Sequence, residues 1–268
     1  MEKNVIVVGA TSGIGREVAI LFAKRGYKVA VAGRREDKLE EVASLHDNII
    51  AYAKIDVNSE DAPALFTALA DRIGGMDIYF HSSGIGYQNK NLVVEKEMAT
   101  VQTNALGWTR MITAAFHYFE QHKERKGHIA IISSIAGTKG LGAAPAYSAT
   151  KRFQNTYIES LCQLARMRHM DISFTDIRPG FVETDLIKDE DYPMQLQPAK
   201  VARDIVSAIE KKQSIVIIDW RYRILVGLWS LIPRWLWIRI NLNRSIDRGA
   251  VLLSKNKSFP TAFARLCG

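Results

Sequence analysis

The sequence predicts an α/β protein, a single doubly wound parallel sheet carrying an amphipathic helical appendage at its C-terminal end. Three observations predict it. Short β-branched apolar runs alternate with segments of helical periodicity from the first residues to about Asp219. The runs are too uniformly apolar for a sheet with one wet face, so both faces must be covered. Between successive runs there is chain enough for a crossover helix, and right-handed crossovers wind such a sheet on both sides.

Each element follows in order. "NVIVVG" is the first strand, and "GREVAILFAKRG" after it has apolar residues at helical spacing and a glycine stop. "KVAVAG" is the second strand, the charged "REDKLEEVASLH" a helix, and "IIAYAKIDV" the third strand. "SEDAPALFTALADRIGG" is helical, "MDIYFHSSG" a strand, and one long helix runs from about Glu95 to Glu124. "GHIAIISS" is a strand, Tyr147 to Met167 a helix, and "DISFTDIRPG" a strand that ends in a turn. "PAKVARDIVSAIEKK" and "SIVIID" supply the last helix and strand. No repeat or low-complexity linker interrupts the order, so residues 1–219 form one domain and residues 220–268 a basic, Trp-rich extension.

Composition narrows the class. With 268 residues, the chain is long enough to bury a sizeable core, and its 47% hydrophobic content excludes a disordered chain. Two cysteines, Cys162 and Cys267, make no disulfide framework and suit a reducing compartment. The first strand starts at once, without the long apolar segment of a signal peptide, so a cytoplasmic location is expected. The formal charge of +8 is confined to one end: residues 1–210 hold 25 Lys and Arg against 26 Asp and Glu, and residues 211–268 hold 11 against 2. That asymmetry points to an anionic partner for the tail and leaves the body neutral.

Ligands of a doubly wound sheet bind beyond the carboxyl ends of its strands. That rim collects Gly9 to Gly15, Arg34, Asp56, Ser82 to Gly84, Ser134 and Pro179-Gly180. "GATSGIG" joins the first strand to the first helix, where glycines permit a tight turn and the helix N-terminus offers free N–H groups to a pyrophosphate. Three residues separate Gly9 from Gly13, which is not the usual Gly-x-Gly-x-x-Gly spacing.

This loop, the "YSATK" of Tyr147 to Lys151 and the serine before it resemble the short-chain dehydrogenase/reductase family, from Asn4 to about Asp219. The resemblance implies a Rossmann-like fold and an oxidoreductase. It assigns Gly9, Thr11, Ser12, Gly13, Ile14 and Gly15 to the cofactor loop, with Asp56, Val57, Ser82, Ser83, Gly84, Pro179, Gly180, Val182 and Thr184 around the same dinucleotide. Asn104, Ser134, Tyr147 and Lys151 match the catalytic set; Lys151 and Tyr147 also touch the cofactor, and Asn104 anchors a water that replaces the proton. "HSSG" departs from the family, with Ser82 and Ser83 where Asn and Ala are usual. Family members commonly form dimers or tetramers through the helices that bear Asn104 and Tyr147, so a homo-oligomer is expected.

The chemistry can be argued from the residues themselves. Positions i and i+4 share a helix face, so Lys151 lies close to Tyr147. A free phenol has a pKa of about 10, and a nearby ammonium is expected to lower it toward the range where proton transfer is efficient. Ser134 then holds a substrate oxygen near the Tyr147 hydroxyl. The second strand ends "VAGRRED", where an acid would take a ribose hydroxyl but Gly33 is followed by Arg34 and Arg35, which suit a 2′-phosphate. The expected cofactor is NADP(H) over NAD(H), with Arg34 the main contact, although Glu36 and Asp37 are alternative partners for these arginines. His81, His117, His122, His128 and His169 lack ligand spacing, so no metal is expected.

The stretch after Gly180 is expected to close over substrate, with Phe181, Leu186, Ile187 and Met194 lining an apolar pocket and Asp189 to Asp191 in water. Trp220 to Arg244 holds four of the five tryptophans, interleaved with arginines and aliphatics. Pro233-Arg234 interrupts it short of the roughly 20 apolar residues a membrane span needs, so it reads as an interfacial segment drawn to anionic lipid. An oligomer contact or a flap over the cleft is the competing reading, and no fold feature supports nucleic acid. Together these features predict reduction of a lipophilic ketone, such as a 3-ketosphinganine-like, oxoacyl or steroid ketone, at a membrane surface. A non-catalytic NADP-binding sensor or membrane scaffold is the alternative.

Overall fold

The computed structural model describes residues 3–184 and 194–240. Seven parallel strands form one sheet: β1 (Asn4–Val8), β2 (Lys28–Gly33), β3 (Ile49–Lys54), β4 (Ile78–His81), β5 (Gly127–Ile132), β6 (Ile172–Pro179) and β7 (Ile215–Ile218), in the order β3-β2-β1-β4-β5-β6-β7. The strand order reverses between β1 and β4. Crossovers diverge there, and a crevice opens at the carboxyl ends of those two strands. This is the doubly wound, Rossmann-like sheet expected.

Alternation along each strand divides the core. Val5 and Val7 of β1 pack on one face with α1 (Gly13–Lys24), α2 (Glu36–Ala43), α7 (Pro198–Glu210) and the start of α8 (Trp220–Leu231). Ile6 and Val8 pack on the other with α3 (Ala62–Arg72), α5 (Trp108–Gln121) and α6 (Pro145–Met167). Because side chains alternate with period two, a one-residue slip of β1 would exchange the two sets, so the register is tightly specified.

The long helix expected from Glu95 to Glu124 is broken. α4 (Val94–Val101) and α5 are joined by a π-helical turn over Gln102–Gly107, which brings Asn104 inward. α6 starts two residues earlier than expected, at Pro145, whose fixed φ suits a first helical position. The appendage begins directly after β7. The Asp219 carboxylate accepts the Arg221 N–H at 3.1 Å and caps α8; Pro233 then separates α8 from the single turn α9 (Arg234–Trp237). Tyr222 and Val226 of α8 are buried in the first core cluster. Among the described residues no helix is long and apolar enough to cross a membrane.

Candidate active site

The glycine loop follows β1, with Gly9 and Ala10 N–H groups both donated to the Ala32 carbonyl of β2. Gly9 (φ +89°) and Gly13 (φ +55°) have left-handed backbones that favour glycine. A Cβ on Gly9 would stand 2.5 Å from the Ser83 nitrogen, and one on Gly13 would stand 3.1 Å from Thr184 Cγ2. Ser82, Ser83 and Thr184 therefore lie against the loop, and Ile14 packs against the core. The loop packs this closely on Ser83 and Thr184 only because these positions lack side chains.

Arg35, rather than Arg34, reaches this loop. Its guanidinium donates to Thr11 Oγ1 at 2.7 Å and to Ser12 Oγ at 2.9 Å, although both arginines are exposed. Asp56 and Val57 lie after β3: the Asp56 carboxylate accepts the Asn58 N–H at 3.0 Å, and the Val57 carbonyl accepts Arg110 Nη1 at 3.0 Å. Pro179 ends β6, the Gly180 N–H is donated to Ile218, and Val182 bridges to Leu196. Leu186, Ile187 and Asp189 to Asp191 lie outside the described residues.

The four catalytic candidates converge at the ends of β4 and β5. Asn104 is wholly buried and binds both polar groups of the Ile85 peptide, accepting its N–H at 2.9 Å and donating to its carbonyl at 2.6 Å. Ser134 caps a short 3₁₀ turn by accepting the Ala136 N–H at 3.1 Å, and its hydroxyl stands near enough to the Tyr147 hydroxyl to favour the phenolate. The Lys151 ammonium stands over the Tyr147 ring, 5.7 Å from its centre. Gly84 touches the group from below, where an added Cβ would lie 3.3 Å from Asn104 Oδ1 and 3.7 Å from Lys151 Nζ.

The electrostatics differ from the expectation. Burial pushes the Tyr147 hydroxyl up, and the Ser134 hydrogen bond only opposes that rise. Lys151 is 5% exposed, and burial lowers its ammonium to about 8, with the Asp176 carboxylate pulling the other way. The ammonium sends its N–H bonds to the Ile132 carbonyl at 3.0 Å and to Gln154 Oε1 at 3.1 Å. At neutral pH the arrangement is a neutral phenol beside a buried cation. His81, underneath, is pushed down to about 3 by burial and by Lys151, so it adds no second charge.

Several residues of the site lack any motif. Gln154 spans from Lys151 to the Asn104 carbonyl, to which its Nε2 donates at 2.9 Å. Behind Lys151, buried Asp176 accepts from Ser133 Oγ, from Asn155 Nδ2 at 2.8 Å and from Arg178 Nε at 2.8 Å. It thereby ties the strand end bearing Ser134 to the helix bearing Lys151. Only the i, i+3 and i, i+4 spacing of Gln154 and Asn155 from Lys151 hinted that they face the same way.

The family profile for short chain dehydrogenase matches residues 3–194. The chain belongs to the short-chain dehydrogenase family. An uncharacterized oxidoreductase of Mycobacterium tuberculosis is 31% identical over 247 residues, covering 88% of this chain and 93% of the relative. Dehydrogenase/reductase SDR family member 7B of Rattus norvegicus is 28% identical over 267 residues, covering 90% and 81%. A variant actinorhodin polyketide ketoreductase solved with NADPH superposes with TM-score 0.71 at 26% identity, over 81% of this chain and 95% of that one. An alcohol dehydrogenase from the archaeon Thermococcus sibiricus, complexed with 5-hydroxy-NADP, superposes at TM-score 0.72 and 22% identity, over 81% and 96%; it attests the fold. This short-chain dehydrogenase is thus an NAD(P)-dependent oxidoreductase acting on a small molecule.

Proposed function

We propose that this short-chain dehydrogenase reduces a lipophilic ketone to a secondary alcohol at the expense of NADPH. The observation that carries the reading is the Lys151 ammonium, buried and 5.7 Å from the centre of the Tyr147 ring, with the Ser134 hydroxyl close by at the carboxyl ends of the strands. When bound, the reduced dinucleotide supplies the hydride. Tyr147, kept protonated by burial, releases its proton to the carbonyl oxygen. Ser134 holds that oxygen, and the positive charge of Lys151 stabilises the phenolate left behind.

Gly9, Gly13 and Gly15, packed against Ser82, Ser83 and Thr184, suit a backbone-bound pyrophosphate, and the family resemblance assigns Thr11, Ser12, Ile14, Gly84 and Val182 to the same dinucleotide. Arg35, held over Thr11 and Ser12, is the cation we assign to a 2′-phosphate, in place of Arg34 as principal contact. Cells keep that cofactor largely reduced, which favours reduction over oxidation. Phe181 and Met194, both packed against the first core cluster, supply an apolar wall that suits a keto-lipid, oxoacyl or steroid ketone. The enzyme would work in the cytoplasm, at a membrane surface reached through residues 220–268. Exposed Val94, Met98 and Val101 of α4 and Phe153 of α6 suit a homo-oligomer contact.

The test is NADPH and NADH oxidation across a panel of ketolipids, including a long-chain 3-keto amine. Turnover with NADPH on lipophilic members is expected. Failure on every ketone, with NADPH still bound, would leave the sensor or scaffold reading in its place.

A further inference from the structure

α8 carries two apolar faces. One turns inward with Tyr222, Leu225, Val226 and Trp229. The other places Trp220, Ile224, Leu228 and Leu231 in solvent at i, i+4, i+8 and i+11, and Trp235 and Ile238 extend it through α9. Leu231 is 79% exposed and Trp235 59%. A helix that is apolar all round needs a partner on each side, and the sheet supplies only one.

The inward face holds the surroundings of the catalytic group. The Tyr222 hydroxyl accepts the Phe181 N–H at 3.3 Å and donates to the Met194 carbonyl at 3.0 Å, pinning both ends of the stretch that follows Gly180. The Tyr222 ring also fills the space that a side chain on Gly180 would need. Trp237 Nε1 donates to the Gly140 carbonyl at 2.8 Å, and Lys139 Nζ to the Ile232 carbonyl at 2.8 Å. Those two bonds fasten the α8–α9 elbow to the loop between Ser134 and Tyr147.

We propose that residues 220–240 are a bilayer-docking platform: the outward stripe sits in an anionic lipid surface while the inward face holds both walls of the substrate cleft, so that substrate enters from lipid. The last clause rests on the ketone-reductase reading; the docking does not. Charge selects the occupant. Arg223 and Arg234 have no carboxylate partner among the described residues, Arg239 lies over the Trp235 ring, and residues 211–268 hold 11 basic side chains against 2 acidic ones. Two copies meeting through this face would bring like charges together, and the neutral body of a second copy offers no excess of acid. Anionic headgroups accept the arginines, and tryptophan suits the headgroup level.

The test is flotation of the full chain with phosphatidylcholine vesicles, with and without phosphatidylglycerol. Wild type is expected to bind the anionic vesicles about tenfold or more tightly than the neutral ones, and to release with salt. The double variant Leu231→Glu/Trp235→Glu is expected to lose flotation yet keep its turnover of a small water-soluble ketone. Arg223→Glu/Arg234→Glu, which spares the stripe, is expected to lose the preference for anionic lipid. Wild type that floats with neither vesicle, or a stripe variant that floats as well as wild type, overturns the proposal. So does a stripe variant of lower oligomeric state than wild type without lipid, because the face would then belong to a second copy. Flotation that persists in an enzyme reducing no ketone sinks only the reductase reading.

Discussion

Replacing Lys151 by methionine should alter how stability depends on pH, by an amount the structure sets. In the unfolded chain this lysine holds its proton to about 10.5, and in the folded chain only to about 8. Between those values the unfolded state binds the extra proton, so stability rises with pH across that window. The neutral-pH penalty of keeping the cation buried is about 3 kcal/mol, at ~1.4 kcal/mol per pH unit. Lys151→Met has no such slope, although it forfeits the bonds to Ile132 and Gln154 at every pH. The constant loss cancels in a difference. Urea unfolding of both proteins from pH 7 to pH 10 should show wild type gaining about 2–3 kcal/mol relative to the variant. Parallel stability curves, or a wild type that loses ground as pH rises, would refute a buried ammonium at this position.

Two further substitutions examine its surroundings. Asp176→Ala leaves the Ser133 hydroxyl, the Asn155 amide and the Arg178 guanidinium without their shared acceptor. Arg178 keeps some contact with water, so urea unfolding should show a loss near the lower end of the range for a broken buried pair, about 3 kcal/mol. In material that remains folded, the alkaline limb of kcat/KM should move to lower pH, because an anion that favours the Lys151 ammonium has gone. Arg35→Ala should weaken NADPH, measured by fluorescence titration, by about tenfold or more while leaving NADH nearly unchanged; an equal loss for both would take the 2′-phosphate contact away from this residue.

What could be read in the sequence is what short range encodes. Strand and helix periods, the glycine loop and the Tyr-x-x-x-Lys pair each lie within one element, and β1 to β7 formed where the apolar runs stood. The break at Gln102–Gly107 is different. It accompanies an Asn104 side chain that bonds the Ile85 peptide, a contact no local pattern announces. Gln154 and Asn155 looked like ordinary positions on a helix because their partners, Asn104 and Asp176, lie 50 and 21 residues away. Arg34 was the expected main contact, and the path of the chain into α2 turns Arg35 to the loop instead. The direction of the Tyr147 shift also escaped. Spacing brings an amine near a phenol, but the burial that raises the hydroxyl is set by packing from far along the chain. The tail was readable as basic and Trp-rich, whereas the inward role of Tyr222 needed Gly180 beside it.

The most direct measurement is hydride consumption by Tyr147→Phe. The substitution keeps the ring against Gly86 and the neighbouring cation and removes only the hydroxyl beside Ser134. With a ketone that wild type reduces, NADPH oxidation should fall by about 10²–10⁴-fold while the affinity for NADPH, measured by its fluorescence, stays the same. Turnover retained at the wild-type rate would show that the proton comes from another group.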